Sequence, residues 1–259
     1  MFIDRIPNDP SMFEAGRPIH LDGGPEAVLL LHGWTGWPAR IASLANALAE
    51  AGYTVDLPRL PGHGTRMTDL LQTSARDWMR RALDAYLDLR RTHDAVYVAG
   101  TSMGAIMATI LAAKYGIPRV ALLAPALLTR NPFLPFSPLM KHFIRKLGSD
   151  WSPESEINPL SREIGREYGS YTSIPMVAEL YRMQRWGRKA LRRLSSDTLV
   201  IVSEKDGSVP PAVVEYIRTR RAGGAFRELV LTESNHQLGD NVEKDKVAQA
   251  VVSWFSERL

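Results

Sequence analysis

The 259-residue chain contains no cysteine, which excludes disulfide bridges, thiolate metal sites and a cysteine nucleophile. It also lacks any long hydrophobic run. Its longest, residues 27–31 and 120–128, fall far short of the ~20 residues that cross a bilayer. Residues 1–7, Met-Phe-Ile-Asp-Arg-Ile-Pro, hold no apolar stretch of signal-peptide length, so a cytoplasmic protein without stable membrane anchoring is expected. No His-x-x-x-His, no carboxylate cluster at metal-ligand spacing, no G-x-G-x-x-G and no phosphate-binding loop occur. Neither a metal nor another cofactor is therefore expected.

The apolar fraction of 45% is ordinary for a globular chain, and the length allows one large α/β domain or two small ones. The net charge of +4 is unevenly placed. Residues 129–195 hold twelve Lys/Arg against six Asp/Glu, so the rest of the chain is slightly acidic. A basic stretch of this kind is read as the solvated face of helices. Transient contact with an anionic lipid surface is its other use, and nucleic acid is not expected, because no nucleic-acid motif accompanies it. Oligomeric state has no sequence signal here.

In the first half, short apolar runs alternate with helical patterns, the signature of βαβ units and a parallel sheet. Strands are predicted over 27–31, 53–57, 95–99 and 119–124, and helices over 39–51, 73–91 and 105–115. From residue 128 to 194 the alternation stops. That stretch has six prolines and no strand-like run, with helical fragments at 138–147 and 175–194. A structureless loop of this length does not fit a compact domain, so residues 128–195 are expected to be a helical cap inserted into a core made of 1–127 and 196–259. The sheet pattern resumes with strands at 198–203 and 226–232 and helices at 210–221 and 242–258.

The chemistry-bearing segment is Gly100-Thr101-Ser102-Met103-Gly104. A glycine-flanked serine between a strand and a helix is a nucleophile elbow, a turn that projects the hydroxyl from the sheet edge above a helix N-terminus. A serine hydroxyl needs a base, and the base an orienting acid; in this architecture they follow in the order Ser, Asp/Glu, His. Only His142 and His236 lie downstream. His142 sits among Lys141, Arg145 and Lys146, where solvent is expected, whereas His236 lies in the loop after the last strand. Asp206, followed by Gly207 and close to Pro210, is the preferred acid, with Glu204 and Asp240 as rivals. A tetrahedral intermediate also needs backbone N–H donors. Met103, after the serine, supplies one, and Trp34 in His32-Gly33-Trp34-Thr35-Gly36 is expected to supply the other. His32 and His63 are read as structural. Trp34, Trp37, Met103 and Met107 are expected to shape an apolar acyl site.

Five segments together resemble the α/β-hydrolase superfamily, more narrowly small bacterial carboxylesterases and monoacylglycerol lipases. They are Leu30 to Gly36, Leu60-Pro61-Gly62-His63-Gly64, Gly100 to Gly104, Asp206-Gly207-Ser208-Val209-Pro210 and Ser234-Asn235-His236. The cap stretch from Tyr171 to Leu180 is similar as well. The resemblance implies a mostly parallel sheet flanked by helices, Ser102 as nucleophile, His236 as base, Asp206 as its partner, and the amides of Trp34 and Met103 as the oxyanion hole. It implies a small apolar ester as substrate, with short- to medium-chain acyl esters or monoacylglycerols favoured. The same triad on a thioester, an amide or a diketone C–C bond stays open, as does a non-catalytic binding module. The chain departs from the family at Trp34, where Phe or Leu is common, and at Ala105, where glycine is.

Overall fold

The structure, a computed structural model, describes residues 11–149, 152 and 159–257. The N-terminal heptapeptide and residue 258, the expected end of the last helix, lie outside the described residues. The first half runs β1 (Ile19–Leu21), β2 (Glu26–Leu31), α1 (Ala42–Glu50), β3 (Thr54–Leu57), α2 (Met67–Leu70), α3 (Ala75–Thr92), β4 (Ala95–Thr101), α4 (Met103–Tyr115) and β5 (Arg119–Leu123). There follow α5 (Ser137–Met140), β6 (Lys146–Leu147), α6 (Pro159–Gly169), β7 (Thr172–Ser173) and α7 (Ile174–Leu191). The chain then closes with β8 (Asp197–Ser203), α8 (Val213–Arg218), β9 (Phe226–Leu231) and α9 (Lys244–Ser256).

Seven strands form one sheet in the order β1-β3-β2-β4-β5-β8-β9. All neighbours are parallel except β1, which pairs antiparallel with β3 at the edge. Helices cover both faces, so the central strands bury both sides and read as continuous apolar runs rather than alternating ones. Ala27, Leu29 and Leu31 of β2 pack into the layer that holds Trp78 and Ala82 of α3 and Ile106 of α4. Val28 and Leu30 face the other layer, with Leu44 and Leu48 of α1 and Val247 and Val251 of α9. The parallel arrangement brings the loops after β2, β4, β8 and β9 to one edge of the sheet, where ligands bind in open α/β folds.

Among the described residues, the connection between β5 and β8 adds no strand to this sheet. It holds the expected helix as α7, which lies against α4. The approach is closest at Gly187, where a Cβ would sit 2.3 Å from Ile106 Cγ2. Two parts of the connection differ from the sequence reading. Helix α6 falls outside the expected helical fragments, and the helix expected over 138–147 ends at Met140. After that turn the chain extends, and Lys146 and Leu147 pair antiparallel with Ser173 and Thr172. Tertiary pairing overrides the local helical propensity there. The helix expected over 210–221 shortens to α8, because Pro211 disfavours helical geometry at Pro210 and the chain enters through tight turns, Val213 N to Pro210 O and Val214 N to Pro211 O. Strand β1, three residues of Ile-His-Leu, is too short to show a periodicity.

Candidate active site

Ser102 stands at the end of β4 with φ 55° and ψ −112°, a conformation that side-chain-bearing residues rarely adopt. The neighbourhood over-determines it. Its N–H donates to Leu123 O at 2.8 Å, and its carbonyl accepts from Ala126 N at 3.2 Å. The flanking glycines are required by contact: a Cβ on Gly100 would lie 2.3 Å from the Gly104 carbonyl carbon, and one on Gly104 would lie 2.0 Å from Leu31 O. The helix beneath can therefore approach the sheet closely enough to place its N-terminus under the serine.

Strands β8 and β9 deliver the partners. His236 Nε2 lies 3.0 Å from Ser102 Oγ, and His236 Nδ1 lies 2.8 Å from Asp206 Oδ2. The second carboxylate oxygen of Asp206 accepts from the amides of Ser208 and Val209 at 2.7 and 2.9 Å. Asp206 is 1% exposed. Burial works to raise its carboxyl, but the hydrogen bond and charge of His236, followed by the Val209 and Ser208 amides, outweigh it and hold the group below its ordinary value. The carboxylate form is thus the stable one. Of the rivals, Glu204 is exposed and its amide is engaged by Leu231 O. Asp240 sits in a short helical turn after His236. His142 is exposed.

Met103 is the first residue of α4, so its N–H has no partner within the helix. Trp34 enters from the loop after β2. Gly33 packs directly on the serine, since a Cβ there would meet Ser102 Cβ at 3.2 Å. The Gly33 carbonyl accepts from His32 Nδ1 at 3.0 Å and from Gly36 N at 3.1 Å. In a trans peptide the N–H points opposite to the C=O, so these two bonds fix the direction of the Trp34 amide. His32 in turn accepts from Leu60 N–H through Nε2 at 3.1 Å, which places its proton on Nδ1. Complete burial, offset in part by the Gly33 bond, lowers the His32 imidazole to about 4. His63 packs 5.2 Å from it, edge-on to Trp78, with Nδ1 on the Pro61 carbonyl. Burial, then the neighbouring His32, lowers it to about 3. Both rings are buried and neutral, held by hydrogen bonds to the backbone.

A cleft of about 400 Å³ opens over Ser102 and His236, lined by Trp34, Trp37, Arg40 and Tyr168 among others. Met103 and Met107 do not shape it: both side chains are wholly buried in the core beneath the elbow, because the first turns of α4 face inward all round. This corrects the expectation that they line the acyl site. Several supporting residues had no sequence signal. Arg130 donates from Nε to the Asp206 carbonyl at 2.9 Å and from its amide to Ser208 O at 2.8 Å, holding the acid's loop from the backbone side. Glu243 accepts from the amides of Glu233 and Ser234 at 3.0 and 2.9 Å and steadies the loop that carries His236. Tyr168 and Glu167 of α6 bind Gly62 O and Met67 N, tying α6 to the segment after β3. Backbone carbonyls and amides are these residues' partners, and no residue-type pattern announces such contacts.

A parallel sheet with an elbow serine, a histidine and an aspartate at its carboxyl edge defines an α/β hydrolase. The family model described as "Alpha/beta hydrolase family" matches residues 28–250, and the chain belongs to that family. It is 32% identical over 260 residues to a thermostable monoacylglycerol lipase of Bacillus sp. (strain H-257), covering 95% of this chain and 96% of the relative. A carboxylesterase of Bacillus subtilis (strain 168) is 36% identical over 91 residues, 35% of this chain and 37% of the relative. Among solved structures, one described with the metagenome-derived lipolytic enzymes LipS and LipT superposes with a TM-score of 0.85 at 24% identity, covering 96% of this chain and 100% of that one. The monoacylglycerol lipase of Paleococcus ferrophilus superposes with a TM-score of 0.72 at 17% identity, covering 92% and 97%. The structural likenesses speak for the fold. Among the described residues no helix is long and apolar enough to cross a membrane.

Proposed function

We propose that this chain hydrolyses carboxylic esters through an acyl-enzyme, with Ser102 as nucleophile. The observation that carries the reading is the continuous chain of hydrogen-bonding groups from Ser102 Oγ through His236, both lining the cleft, to a buried Asp206. His236 Nε2 takes the hydroxyl proton as Ser102 attacks the carbonyl carbon, and Asp206 holds the imidazolium in place. The oxyanion forms against the Trp34 and Met103 amides. The proton then passes to the leaving alcohol, and water, activated by the same imidazole, cleaves the acyl-enzyme. Residues 128–195 act as the cap.

Short- to medium-chain acyl esters or monoacylglycerols are the favoured substrates, supported by the names of the two relatives and by the aromatic walls of Trp34, Trp37 and Tyr168. The connection after β5 also suits transient contact with an anionic lipid surface. Phe133, Phe136, Leu139 and Phe143 are 61–81% exposed beside Lys141, Arg145 and Lys146, with no Asp or Glu from 129 to 149. Apolar side chains flanked by cations fit a lipid interface. The reading is tested with a series of aromatic esters and glycerides of increasing acyl length on the wild type and Ser102→Ala. Loss of at least ~10³-fold in kcat is expected in the variant; undiminished turnover would sink the mechanism, and turnover of thioesters or diketones alone would sink the substrate class.

A further inference from the structure

Beside the cleft over Ser102 lies a second cavity of about 180 Å³. At roughly 30 Å³ per water-sized group it has room for about six such groups, a short run of methylenes. Met67, Leu70 and Met176 are the aliphatic part of its lining, and Thr35, Ser149, Thr172 and Ser173 add polar groups. Four residues, Trp34, Thr35, Tyr168 and Gly169, line both spaces and so form the wall between them.

The two large side chains of that wall are held differently. Tyr168 is pinned: its hydroxyl accepts from Thr65 N at 3.1 Å and donates to Gly62 O at 2.8 Å, and its ring stacks on Trp37. The Trp34 indole N–H is buried without a hydrogen-bond partner among the described residues, whereas a buried tryptophan N–H ordinarily finds one. Moving Tyr168 breaks two hydrogen bonds, and moving the indole breaks none. The Trp34 amide is fixed separately, through the bonds that His32 and Gly36 make to the Gly33 carbonyl. The side chain can therefore change rotamer while the amide keeps its direction.

We propose that the Trp34 indole is the partition that sets the acyl-chain limit, and that the second cavity receives the distal methylenes of a longer chain once the indole swings aside or is shortened. This rests on the ester-hydrolase reading above. Each methylene moved from water into apolar surroundings is worth about a fourfold gain in binding, so two or three added methylenes give a measurable shift. The occupant we assign is the acyl chain, which packs on the Met67, Leu70 and Met176 side chains of the lining; a shift in alcohol preference is the outcome that would reassign it.

The experiment measures kcat/KM for 4-nitrophenyl butyrate and dodecanoate with the wild type, Trp34→Phe, Trp34→Ala, and Trp34→Ala combined with Thr172→Trp, which fills the second cavity from its far side. The dodecanoate-to-butyrate ratio is expected to rise at least tenfold in Trp34→Ala, to rise less in Trp34→Phe, and to fall back in the double variant. If Trp34→Ala does not fold, Trp34→Phe carries the test with a smaller rise in the same direction. An unchanged ratio with butyrate still hydrolysed overturns the proposal, as does a shift in alcohol preference at constant acyl chain. If the folded wild type hydrolyses no ester, the ester reading fails, and calorimetric binding of hexadecanoate to Ser102→Ala decides the cavity: tenfold tightening on adding Trp34→Ala supports it, and no change overturns it.

Discussion

Acid should weaken this fold well above the pH at which its carboxylates titrate, because two of its histidines are wholly buried and neutral. In the unfolded chain each imidazole binds a proton near pH 6.5. In the folded protein burial lowers His32 to about 4 and His63 to about 3. Between these values the unfolded state holds more protons, so stability falls as pH falls, by about 1.4 kcal/mol per pH unit for each ring. The contribution is complete above pH 6.5 and is lost progressively toward the folded values. From pH 7 to 4.5 the pair therefore removes about 5 kcal/mol, a large share of the ~5–15 kcal/mol typical of a domain. Asp56, whose carboxyl burial raises, takes up its proton earlier in the folded state and offsets a small part. Urea unfolding at constant temperature, extrapolated to water at half-unit pH steps, measures the slope. His63→Gln should show about half the wild-type pH slope whatever its stability at pH 7. A flat profile between pH 6.5 and 4.5, or a variant with the wild-type slope, would refute the assignment of both rings as buried neutral groups.

Asp206→Asn should lower kcat for a short ester by about 10⁴-fold, since it disturbs the imidazole tautomer, while Glu204→Gln stays within about twofold; the reverse result would reassign the acid. Arg130→Ala removes the side-chain bond to the Asp206 carbonyl and should lower kcat by up to about 100-fold with KM little changed, in steady-state assays on the same ester. Gly187→Ala drives a methyl into Ile106 Cγ2 and should cost about 1–3 kcal/mol in urea unfolding, with a smaller cost in an Ile106→Ala background. Phe136→Ser combined with Phe143→Ser should abolish sedimentation with phosphatidylglycerol vesicles and leave soluble-ester turnover intact. Equal binding to neutral vesicles would remove the role given to Lys141, Arg145 and Lys146.

The site was legible in the sequence because a parallel sheet converts chain order into spatial order. β4 lies beside β2 and β5, and β8 and β9 continue the same edge. A serine after β4, a carboxylate after β8 and a histidine after β9 must then open on one side, whatever lies between them. The same logic places Trp34 after β2 next to Ser102. What escaped the reading is what this logic does not constrain. Met103 and Met107 look like pocket residues by type, but the first turns of α4, wedged between the sheet and α7, have no open face, so they became core. The ribbon of Lys146–Leu147 with Thr172–Ser173 depends on partners more than twenty residues apart, and no local periodicity records such a pairing.

Chain order and cap structure therefore act on different parts of the chemistry. In the proposed mechanism the attacking group, its base and the oxyanion donors all hang from the sheet edge, where strand spacing and contacts too close for a Cβ at Gly100 and Gly104 fix Ser102 and its neighbours. The walls proposed to select the ester come from Tyr168 and neighbouring residues of α6, between β5 and β8, and from the Trp34 side chain in the loop after β2. Substitutions in the cap should accordingly change selectivity among acyl chains by more than they change turnover of the smallest ester. Substitutions at the elbow glycines should abolish turnover of every ester alike. If cap variants reduced all substrates in equal proportion, the division between a rigid reacting edge and an adaptable wall would not hold.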